Sequence, residues 1–365
     1  MKIIFYDDFY LKQLESSKYP SGGATKQVIA WHNALIHKGI DSKVMGASSH
    51  QELKKNNEVI IAYDPSKGIR ILRFFYYQLP SLIKNIQKNK PDYLYHGVPS
   101  RQSAIIAIIC KILGVKFIQR ISNDNLIDDR AKKKMRFLEY QIFKQCLKQS
   151  KFIFCQNEYQ FNNVSKKYPN KAYLIYNPYK GNISNHTLSF EDRKFVVWVG
   201  LFQIQKNVPL LRDIVISSPN IDFKIIGTSA LNCDQNTKNA IDGLKEISNV
   251  EFLGFKETNE LYHYLKESYC LLNTSYHEGF SNTYLEAFAC GTPVVCIKNC
   301  DPDNIISKNN LGFTSNNSSD LSIVLKEFIS NRDKWEISAK KCIPYVSKNH
   351  FYTTKIDEFL KILHD

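Results

Sequence analysis

The stretch "CLLNTSYHEGFSNTYLEAFACGTPVVCI" (residues 270–297) predicts a complete strand, helix and strand. Residues 270–274 are apolar and predict a buried strand, and residues 282–290 carry an apolar stripe at helical spacing. Gly291 and Pro293 predict the end of the helix and the start of a second strand. Strands joined through a helix in this way are parallel members of one sheet.

The same alternation of apolar runs and amphipathic stretches continues on both sides of this unit. The polar, aperiodic residues 176–194 divide the predicted strands into two series. The strands are 2–6, 58–63, 92–96, 115–121 and 151–155 in the first series, and 195–200, 223–227, 250–254, 270–274 and 293–297 in the second. The helices of the first series are 25–37, 99–113 and 132–149. This pattern predicts an α/β fold of two doubly wound, Rossmann-like domains facing a cleft, with ligands at the carboxyl ends of the strands.

The domain boundaries follow from the interruption of the pattern. At 365 residues the chain exceeds the usual size of a single core. We predict an N-terminal domain at 1–178, a linker at 179–194 and a C-terminal domain at 195–345. A last helix at 346–365 can cross back to the N-terminal domain.

Charge is distributed unevenly along the chain, whose formal net charge is +14. Residues 1–180 contain 30 Lys and Arg against 13 Asp and Glu, whereas the remainder is slightly acidic. The basic half predicts an acidic partner, such as the anionic inner face of a cell membrane, although a solvated lysine-rich surface explains the counts equally well. No nucleic-acid-binding motif accompanies the charge, so no nucleic acid partner is expected.

The cysteines and the apolar runs indicate the compartment. The nine cysteines are odd in number and scattered, without a Cys-x-x-Cys pair. No apolar run approaches the ~18 residues of a membrane span, and residues 1–6 are too short for a signal peptide. We expect a cytoplasmic protein that can be peripheral on the inner face of the membrane.

Two glutamates, Glu278 and Glu286, stand on either side of a turn-rich segment. Side chains lean toward the amino end of a helix, so Glu286 should point back toward this loop. The helix start, residues 280–283, is a natural phosphate site. Amides for a diphosphate and carboxylates for sugar hydroxyls are together what a nucleotide sugar needs. The pattern Thr283-x-x-Glu286 also fits a capping box, in which Glu286 would only stabilise the helix start.

The segment "EGFSNTYLEAFACGTPVV" (278–295) resembles the signature of the family 4 glycosyltransferases of the GT-B fold, in which two glutamates separated by seven residues precede Ala-x-x-x-Gly-x-Pro-Val. The resemblance is strong over residues 195–315 and continues into the first half mainly in architecture. It implies transfer of a hexose or related sugar from a nucleotide-sugar donor, with retention of configuration and without a metal ion or other cofactor. UDP- or GDP-sugars are the expected donors.

The resemblance assigns roles to individual residues. It implies that Glu278 lies beside the donor sugar as a catalytic residue, together with Lys206, the phosphate-binding lysine of "WVGLFQIQKN" (198–207). Leu201 stands where the family has an arginine, which predicts weaker donor binding, compensation by another cation, or loss of activity. The donor-binding residues implied are Gly22, Gly23, Gly279, Phe280, Ser281, Asn282, Thr283 and, for the ribose, Glu286.

Contacts to the sugar or the acceptor are expected from the first half. The family's histidine is absent from "IQRISNDN" (118–125), whose polar residues Arg120, Asn123 and Asp124 are therefore candidates. His96, at the end of a predicted strand, is another candidate, although a lone histidine there is more often structural. The Asp-x-Asp at Asp301 and Asp303 fits loop or helix-cap chemistry better than a metal site.

Two functions remain open at this point. The first is transfer of a sugar to a glycan or lipid-linked acceptor in the biosynthesis of a bacterial surface polysaccharide, such as capsule, O-antigen or lipopolysaccharide. The second is a non-catalytic GT-B partner protein that binds glycan or membrane, which Leu201 and the missing histidine also allow.

Overall fold

The computed structural model describes residues 1–15, 22–69, 72–230 and 233–364, which form two compact units. Unit 1 comprises Met1–Lys180 and Tyr352–Asp365, and unit 2 comprises Gly181–Phe351. Each unit contains one parallel β-sheet with helices on its faces. The predicted fold class, two doubly wound Rossmann-like domains, is confirmed.

Unit 1 contains a seven-stranded sheet. Its strands are β1 (Lys2–Tyr6), β2 (Asp41–Ala47), β3 (Val59–Tyr63), β4 (Tyr93–His96), β5 (Lys116–Arg120), β6 (Phe152–Cys155) and β7 (Ala172–Leu174). They are parallel throughout and lie in the order β3-β2-β1-β4-β5-β6-β7. The chain moves outward from β1 to β3 and returns to β4, so the switch point of this sheet lies between β1 and β4.

Helices cover both faces of this sheet. They are α1 (Asp8–Glu15), α2 (Gly23–His37), α3 (Leu79–Asn89), α4 (Arg101–Ile112), α5 (Asp129–Lys134), α6 (Phe137–Gln149), α7 (Glu158–Ser165) and the C-terminal helix (Tyr352–His364). Alternate residues of β1 face opposite layers, with Ile3 in one apolar cluster and Ile4 in another. The C-terminal helix packs on α2, where the rings of Phe359 and Trp31 lie 4.8 Å apart.

The single helix predicted over 132–149 is wrong, because α5 and α6 are separate. Met135, between them, has the extended dihedral angles φ −93° and ψ 144°. The carboxylate of Glu139 accepts a hydrogen bond from the backbone N–H of Arg136 (3.2 Å), which satisfies a donor at a new helix start. Strand β2 was not predicted from the sequence, because its first residues are polar.

Unit 2 contains a six-stranded parallel sheet in the order β10-β9-β8-β11-β12-β13, with its switch point between β8 and β11. The strands are β8 (Phe195–Val199), β9 (Phe223–Ile226), β10 (Val250–Gly254), β11 (Ser268–Asn273), β12 (Val294–Ile297) and β13 (Gly312–Ser315). The helices are α8 (Val208–Ile216), α9 (Gln235–Lys245), α10 (Thr258–Glu267), α11 (Asn282–Ala289), α12 (Ile305–Asn309), α13 (Leu321–Ser330) and α14 (Arg332–Asn349).

Most of the segment predicted as a linker, 179–194, is an integral part of unit 2. Arg193 is buried and donates hydrogen bonds to the carbonyl oxygens of Ser268 (2.9 Å) and Gly291 (3.0 Å) and to the hydroxyl oxygen of Thr292 (2.8 Å). A buried guanidinium needs such partners, since burial alone is costly for a charge. The boundary of the first unit falls after residue 180.

The predicted last helix, 346–365, is in fact the end of α14 and the separate C-terminal helix. The division between the units falls between residues 351 and 352, so the predicted boundary at 345 differs from the one observed. Within the described ranges, no helix has the length and apolar character needed to cross a bilayer.

Candidate functional site

Two loops at the switch point of unit 2 are joined by hydrogen bonds. One loop, 200–207, follows β8, and the other, 274–281, follows β11. The hydroxyl of Thr274 donates to the carbonyl oxygen of Lys206 (2.8 Å) and accepts from the indole N–H of Trp198 (3.0 Å). These bonds hold the two loops together at the carboxyl edge of the sheet, where doubly wound folds bind ligands.

Lys206 and Glu278 form an ion pair across these loops, with 2.6 Å between Nζ and Oε1. The two side chains are 16% and 10% exposed, so water screens the pair only partly. The hydroxyl of Ser275 donates to the same carboxylate oxygen (2.8 Å). The structure therefore brings together the two residues predicted as catalytic, although their direct pairing was not predicted.

Burial and pairing have opposite effects on the carboxyl group of Glu278. Burial, the largest single influence, raises its pKa. The ammonium of Lys206 and the hydrogen bonds from Lys206, Ser275 and Asn273 lower it, and together they hold the pKa below its ordinary value. Glu278 is therefore ionised at neutral pH and lies beside a cation.

Helix α11 begins directly after the second loop. Its N-cap residue, Ser281, makes no side-chain capping bond, and its hydroxyl instead bonds to that of Thr283 (2.6 Å). Glu286 is the fifth residue of a helix that starts at Asn282, and it is buried. A capping box needs the glutamate at the third position, so the capping-box interpretation of Thr283 and Glu286 is wrong. The start of α11 remains a natural position for an anion.

Gly279 and Phe280, which precede α11, are both buried in unit 2. After α11, Gly291 has φ +69°, and a Cβ there would lie 2.6 Å from the hydroxyl oxygen of Thr187. Only glycine fits this position, which confirms the predicted stop of the helix.

Leu201 is 45% exposed in the loop after β8. The preceding residue, Gly200, leaves room for Lys206, because a Cβ there would lie 3.3 Å from the Lys206 side chain. Lys206 is the one cation in the sequence of loop 200–207. The loop therefore offers a single positive charge to a ligand.

The switch point of unit 1 contains a cavity of about 380 Å³, lined by the loops after β1 and β4 and by the start of α2. Gly22 is the N-cap residue of α2, and Gly23 is its first residue. Both glycines line the cavity together with His96, so three of the predicted site residues come together here. A Cβ on Gly22 would meet no atom of the described residues within 4 Å, so their packing does not require glycine there.

Two aspartates in this cavity, Asp7 and Asp8, are absent from the predicted site. Asp7 accepts hydrogen bonds from the backbone N–H groups of Phe9 (2.8 Å) and Tyr10 (3.0 Å), and Asp8 accepts one from Ala47 (2.7 Å). Burial raises the pKa of both carboxyl groups. Their position directly after a strand at a switch point is the sequence signal that could have identified them.

His96 is held in one tautomer at the edge of this cavity. Its ring stacks on that of Tyr6, with 5.7 Å between centroids, and its Nδ1 accepts from the backbone N–H of Val98 (3.3 Å). Burial lowers the pKa of His96 to about 4, so the ring is neutral at pH 7. A neutral ring that accepts at Nδ1 carries its proton on Nε2, which can donate to a hydroxyl group.

The remaining candidates of the first half are engaged in contacts within unit 1. Buried Arg120 donates to the side-chain oxygens of Gln156 and Asn177 (2.9 Å for the latter). Asn123 caps the short 3₁₀ turn that begins at Asp124, and Asp124 accepts from two side-chain amides. The assignment of these three residues to a sugar or acceptor stays a prediction.

The Asp-x-Asp of unit 2 supports a helix start, as predicted. The carboxylate of Asp301 accepts from the backbone N–H groups of Ile306 (2.7 Å) and Ser307 (3.0 Å) in α12. Asp303 has the left-handed φ of +56°. Among the residues that the structure describes, no three His, Cys, Asp or Glu side chains are placed to hold a metal ion.

Each unit thus has a doubly wound, Rossmann-like fold, with polar side chains gathered at the switch point of its sheet. Residues 180–348 match the family model described as glycosyl transferases group 1. This segment includes Lys206, Glu278 and Glu286.

Similar proteins cover most or all of the chain. An uncharacterized glycosyltransferase of Methanocaldococcus jannaschii is 25% identical over 300 residues, which are 81% of this chain and 82% of that protein. The crystal structure of Anabaena HepE in complex with UDP and glucose is 18% identical, with a TM-score of 0.77 and complete coverage of both chains. WaaG, a glycosyltransferase involved in lipopolysaccharide biosynthesis, is 14% identical, with a TM-score of 0.68 and 98% coverage of each chain. The structural likenesses show the GT-B fold, and the sequence matches support a glycosyltransferase.

Proposed function

We propose that this protein is a retaining glycosyltransferase of family 4 that moves a hexose or related sugar from a nucleoside diphosphate sugar to a glycan or lipid-linked acceptor. The observation that carries the proposal is the Lys206–Glu278 ion pair at the switch point of unit 2, beside the start of α11. Nζ of Lys206 lies 2.6 Å from the ionised carboxylate of Glu278. In this proposal the ammonium binds the diphosphate, and the carboxylate binds sugar hydroxyls. UDP is the proposed nucleotide because HepE binds UDP and glucose.

In the proposed reaction, the bond between sugar C1 and the diphosphate oxygen breaks, and a bond between C1 and the acceptor oxygen forms. Negative charge develops on the departing diphosphate, where Lys206 and the start of α11 stabilise it. The acceptor hydroxyl attacks from the face that the diphosphate leaves, and its proton passes to the departing phosphate oxygen. Glu278 accepts hydrogen bonds from the donor sugar, and Glu286 accepts them from the ribose.

Charge neutralisation by protein groups alone is part of this proposal. Lys206 is the single cation of its loop, because Leu201 stands where a second one was expected. Because the proposal uses protein groups alone to neutralise charge, we expect full activity in the presence of EDTA. Because the loop has a single cation, we expect a modest affinity for free nucleoside diphosphate. Loss of activity with EDTA and its recovery with a divalent cation would contradict the metal-independent reaction.

The cavity of unit 1 is the proposed acceptor site, and the donor contact implied for Gly22 and Gly23, which also line it, stays a prediction. Asp7 and Asp8 supply hydrogen-bond acceptors, and neutral His96 supplies one donor, which suits the hydroxyl groups of a sugar. A role in bacterial surface polysaccharide biosynthesis, such as capsule, O-antigen or lipopolysaccharide, is proposed because WaaG, which has the same fold, is involved in lipopolysaccharide biosynthesis.

The proposal is tested in two steps with purified protein. Thermal shifts with UDP, GDP, ADP and their sugars identify the donor, since a ligand that binds the folded state raises its stability. Release of nucleoside diphosphate from that donor then measures turnover for wild type, Glu278→Gln and the control Glu260→Gln. Glu260 forms a surface ion pair with Lys256 (3.3 Å), so its loss should leave turnover unchanged. Wild-type turnover by Glu278→Gln would overturn the assignment.

Exposed Leu201 favours a second candidate function, a non-catalytic GT-B partner protein that binds glycan or membrane. Such a protein would respond to a nucleotide or glycan in the thermal-shift assay without hydrolysing or transferring any donor. Turnover by the purified wild-type protein, abolished in Glu278→Gln, would exclude it.

A further inference from the structure

Unit 1 exposes large apolar side chains at two places on one edge of its sheet. Because all strands are parallel, the segments after β3 and after β5 lie at the same carboxyl edge. The exposed residues are Ile69, Leu72, Phe75 and Tyr76 after β3, and Phe137 and Leu138 after β5. Phe75 and Phe137 are 69% and 75% exposed. Apolar side chains grouped in this way commonly mark an interaction surface.

The first group borders the cavity at the β1–β4 switch point. The side chain of Gln102, which lines the cavity, donates to the phenol oxygen of Tyr63 at the end of β3 (3.3 Å). The next residue, Asp64, donates its backbone N–H to the phenol oxygen of Tyr77 (3.1 Å). Tyr77 lies in the same π-helical turn as Phe75. Two hydrogen bonds and one peptide link therefore connect the cavity wall to this group.

The second group borders the same cavity from the side of β5. Arg101, between the cavity-lining residues Ser100 and Gln102, forms an ion pair with Glu139 (2.6 Å). Glu139 is the third residue of α6, whose first two residues are Phe137 and Leu138. The two apolar groups therefore lie on either side of one cavity. Phe9 and Val98, which line it directly, are also exposed.

Basic side chains accompany both groups. Lys67, which forms an ion pair with Asp64 (4.0 Å), is exposed before the first group, and Lys132, Lys133 and Arg136, together with the acidic Asp129, are exposed before the second. The carboxylate of Glu139 is neutralised by its ion pair with Arg101. Apolar side chains interspersed with bases complement an anionic lipid surface, where the rings enter the headgroup region and the bases contact phosphates.

We propose that these two groups and their bases form an apolar-basic rim that docks on an anionic phospholipid bilayer. The cavity then opens at the lipid surface, where a lipid-linked acceptor would be held. This last step rests on the proposed function, whereas the docking itself does not.

Vesicle flotation tests the docking with the full-length protein. We expect wild type to float with vesicles of phosphatidylcholine and phosphatidylglycerol, but not with phosphatidylcholine alone, and to be partly released by salt. The double variant Phe137→Ser and Leu138→Ser should reduce the floated fraction about tenfold, since each exposed side chain loses its burial in lipid. Serine is well tolerated at a helix start, and a thermal melt checks the fold.

A matched control comes from α4 in the same basic unit. Ile108 and Ile112 are exposed like the rim residues. Helix α4 begins at Arg101, beside the cavity, and ends at Ile112, so these two side chains lie toward the end of the helix that is away from the rim. The double variant Ile108→Ser and Ile112→Ser should float like wild type. The proposal would be overturned by equal flotation with neutral vesicles, by no flotation, or by the same loss of flotation in the control variant. No flotation, or the same loss in the control, would favour a protein partner at the rim or no partner at all.

Failure of the docking and failure of the proposed function are distinguishable. UDP-induced stabilisation of the rim variant should equal that of wild type, because the nucleotide site is assigned to unit 2. Anionic flotation without any response to nucleotide would reject the glycosyltransferase proposal and leave the docking intact. A nucleotide response without flotation would reject the docking and leave the glycosyltransferase proposal intact.

Discussion

The two switch points occupy equivalent places in their sheets but differ in how they treat a carboxylate. In unit 2, Glu278 is paired with Lys206, and its pKa is held below the ordinary value. In unit 1, burial dominates at Asp7 and Asp8 and raises the pKa of both. The same topology thus holds one carboxylate in its ionised form beside a cation in unit 2, whereas in unit 1 burial disfavours the ionised form of two carboxyl groups.

The largest expected effect on this contrast comes from Lys206→Ala. Removal of the cation should lower the rate of transfer about 10²–10³-fold, the usual consequence of losing one group that stabilises transition-state charge. The pKa of Glu278 should rise, because burial would no longer be opposed by the ammonium. The acid limb of the pH–rate profile would then move to higher pH. An unchanged rate would remove the basis for assigning the diphosphate to unit 2.

A second test uses the opposite directions of the two carboxyl pKa values. Because the pKa of Glu278 is lowered in the folded state, its stabilising contribution is present above the unfolded pKa and is lost as pH falls through the folded one. Glu278→Gln should therefore cost about 1.5–3 kcal/mol at pH 7, the worth of hydrogen bonds to a charged group, and less in acid.

Asp8→Asn should behave in the opposite way. Because the pKa of Asp8 is raised, its ionisation disfavours the folded state as pH rises above the unfolded pKa. The variant should be more stable than wild type at pH 7, and the gain should vanish in acid. Urea denaturation of both variants at several pH values measures these differences. If the stability changes of the two variants had the same pH dependence, the proposed difference between the carboxyl groups of units 1 and 2 would be wrong.

A smaller effect is expected from His96→Phe, which keeps a ring beside Tyr6 but removes the Nε2 donor. Loss of one neutral hydrogen bond of about 0.5–1.5 kcal/mol should raise KM for the acceptor several-fold. KM for the donor should not change. Since the pKa of His96 is about 4, its titration should also leave no inflection in the wild-type rate between pH 6 and 8. Steady-state kinetics with donor and acceptor would detect a change in the donor KM or an inflection between pH 6 and 8, and either result would contradict this prediction.

The smallest effect is expected from Glu260→Gln, whose surface ion pair with Lys256 is largely solvated. We expect a change in unfolding free energy of less than about 1 kcal/mol and no change in KM. The same chemical change is thus made in a buried pair and in an exposed one. If Glu260→Gln lowered the unfolding free energy as much as Glu278→Gln, burial would not determine how much such an ion pair contributes to stability.

The fold was accessible from the sequence because most strands are buried on both faces and read as apolar runs. The strand β2 was missed because its first residues, Asp41, Ser42 and Lys43, are polar although later ones are buried. The break between α5 and α6 was missed because the apolar spacing continues through it. Backbone dihedrals at Met135, which spacing does not encode, end the first helix.

The sequence named individual residues of unit 2 as candidates, and their roles stay predictions, but it did not predict the contact between two of them. Lys206 and Glu278 are far apart in the chain, and only the adjacency of β8 and β11 brings them together. In unit 1, Asp7 and Asp8 resemble ordinary helix-start residues in sequence. Their significance depends on β1 and β4 being neighbours, which a pattern of apolar runs does not specify.

The position of the C-terminal helix has a consequence for how the protein is made. Ile356, Phe359 and Leu363 complete the apolar cluster that contains Trp31 of α2, but the whole of unit 2 lies between them in the chain. During synthesis on the ribosome, residues 1–180 emerge first and wait with part of this cluster uncovered. Unit 2 can fold as soon as it has emerged, since it is a continuous segment. The later domain in the sequence can therefore complete its core before the earlier one.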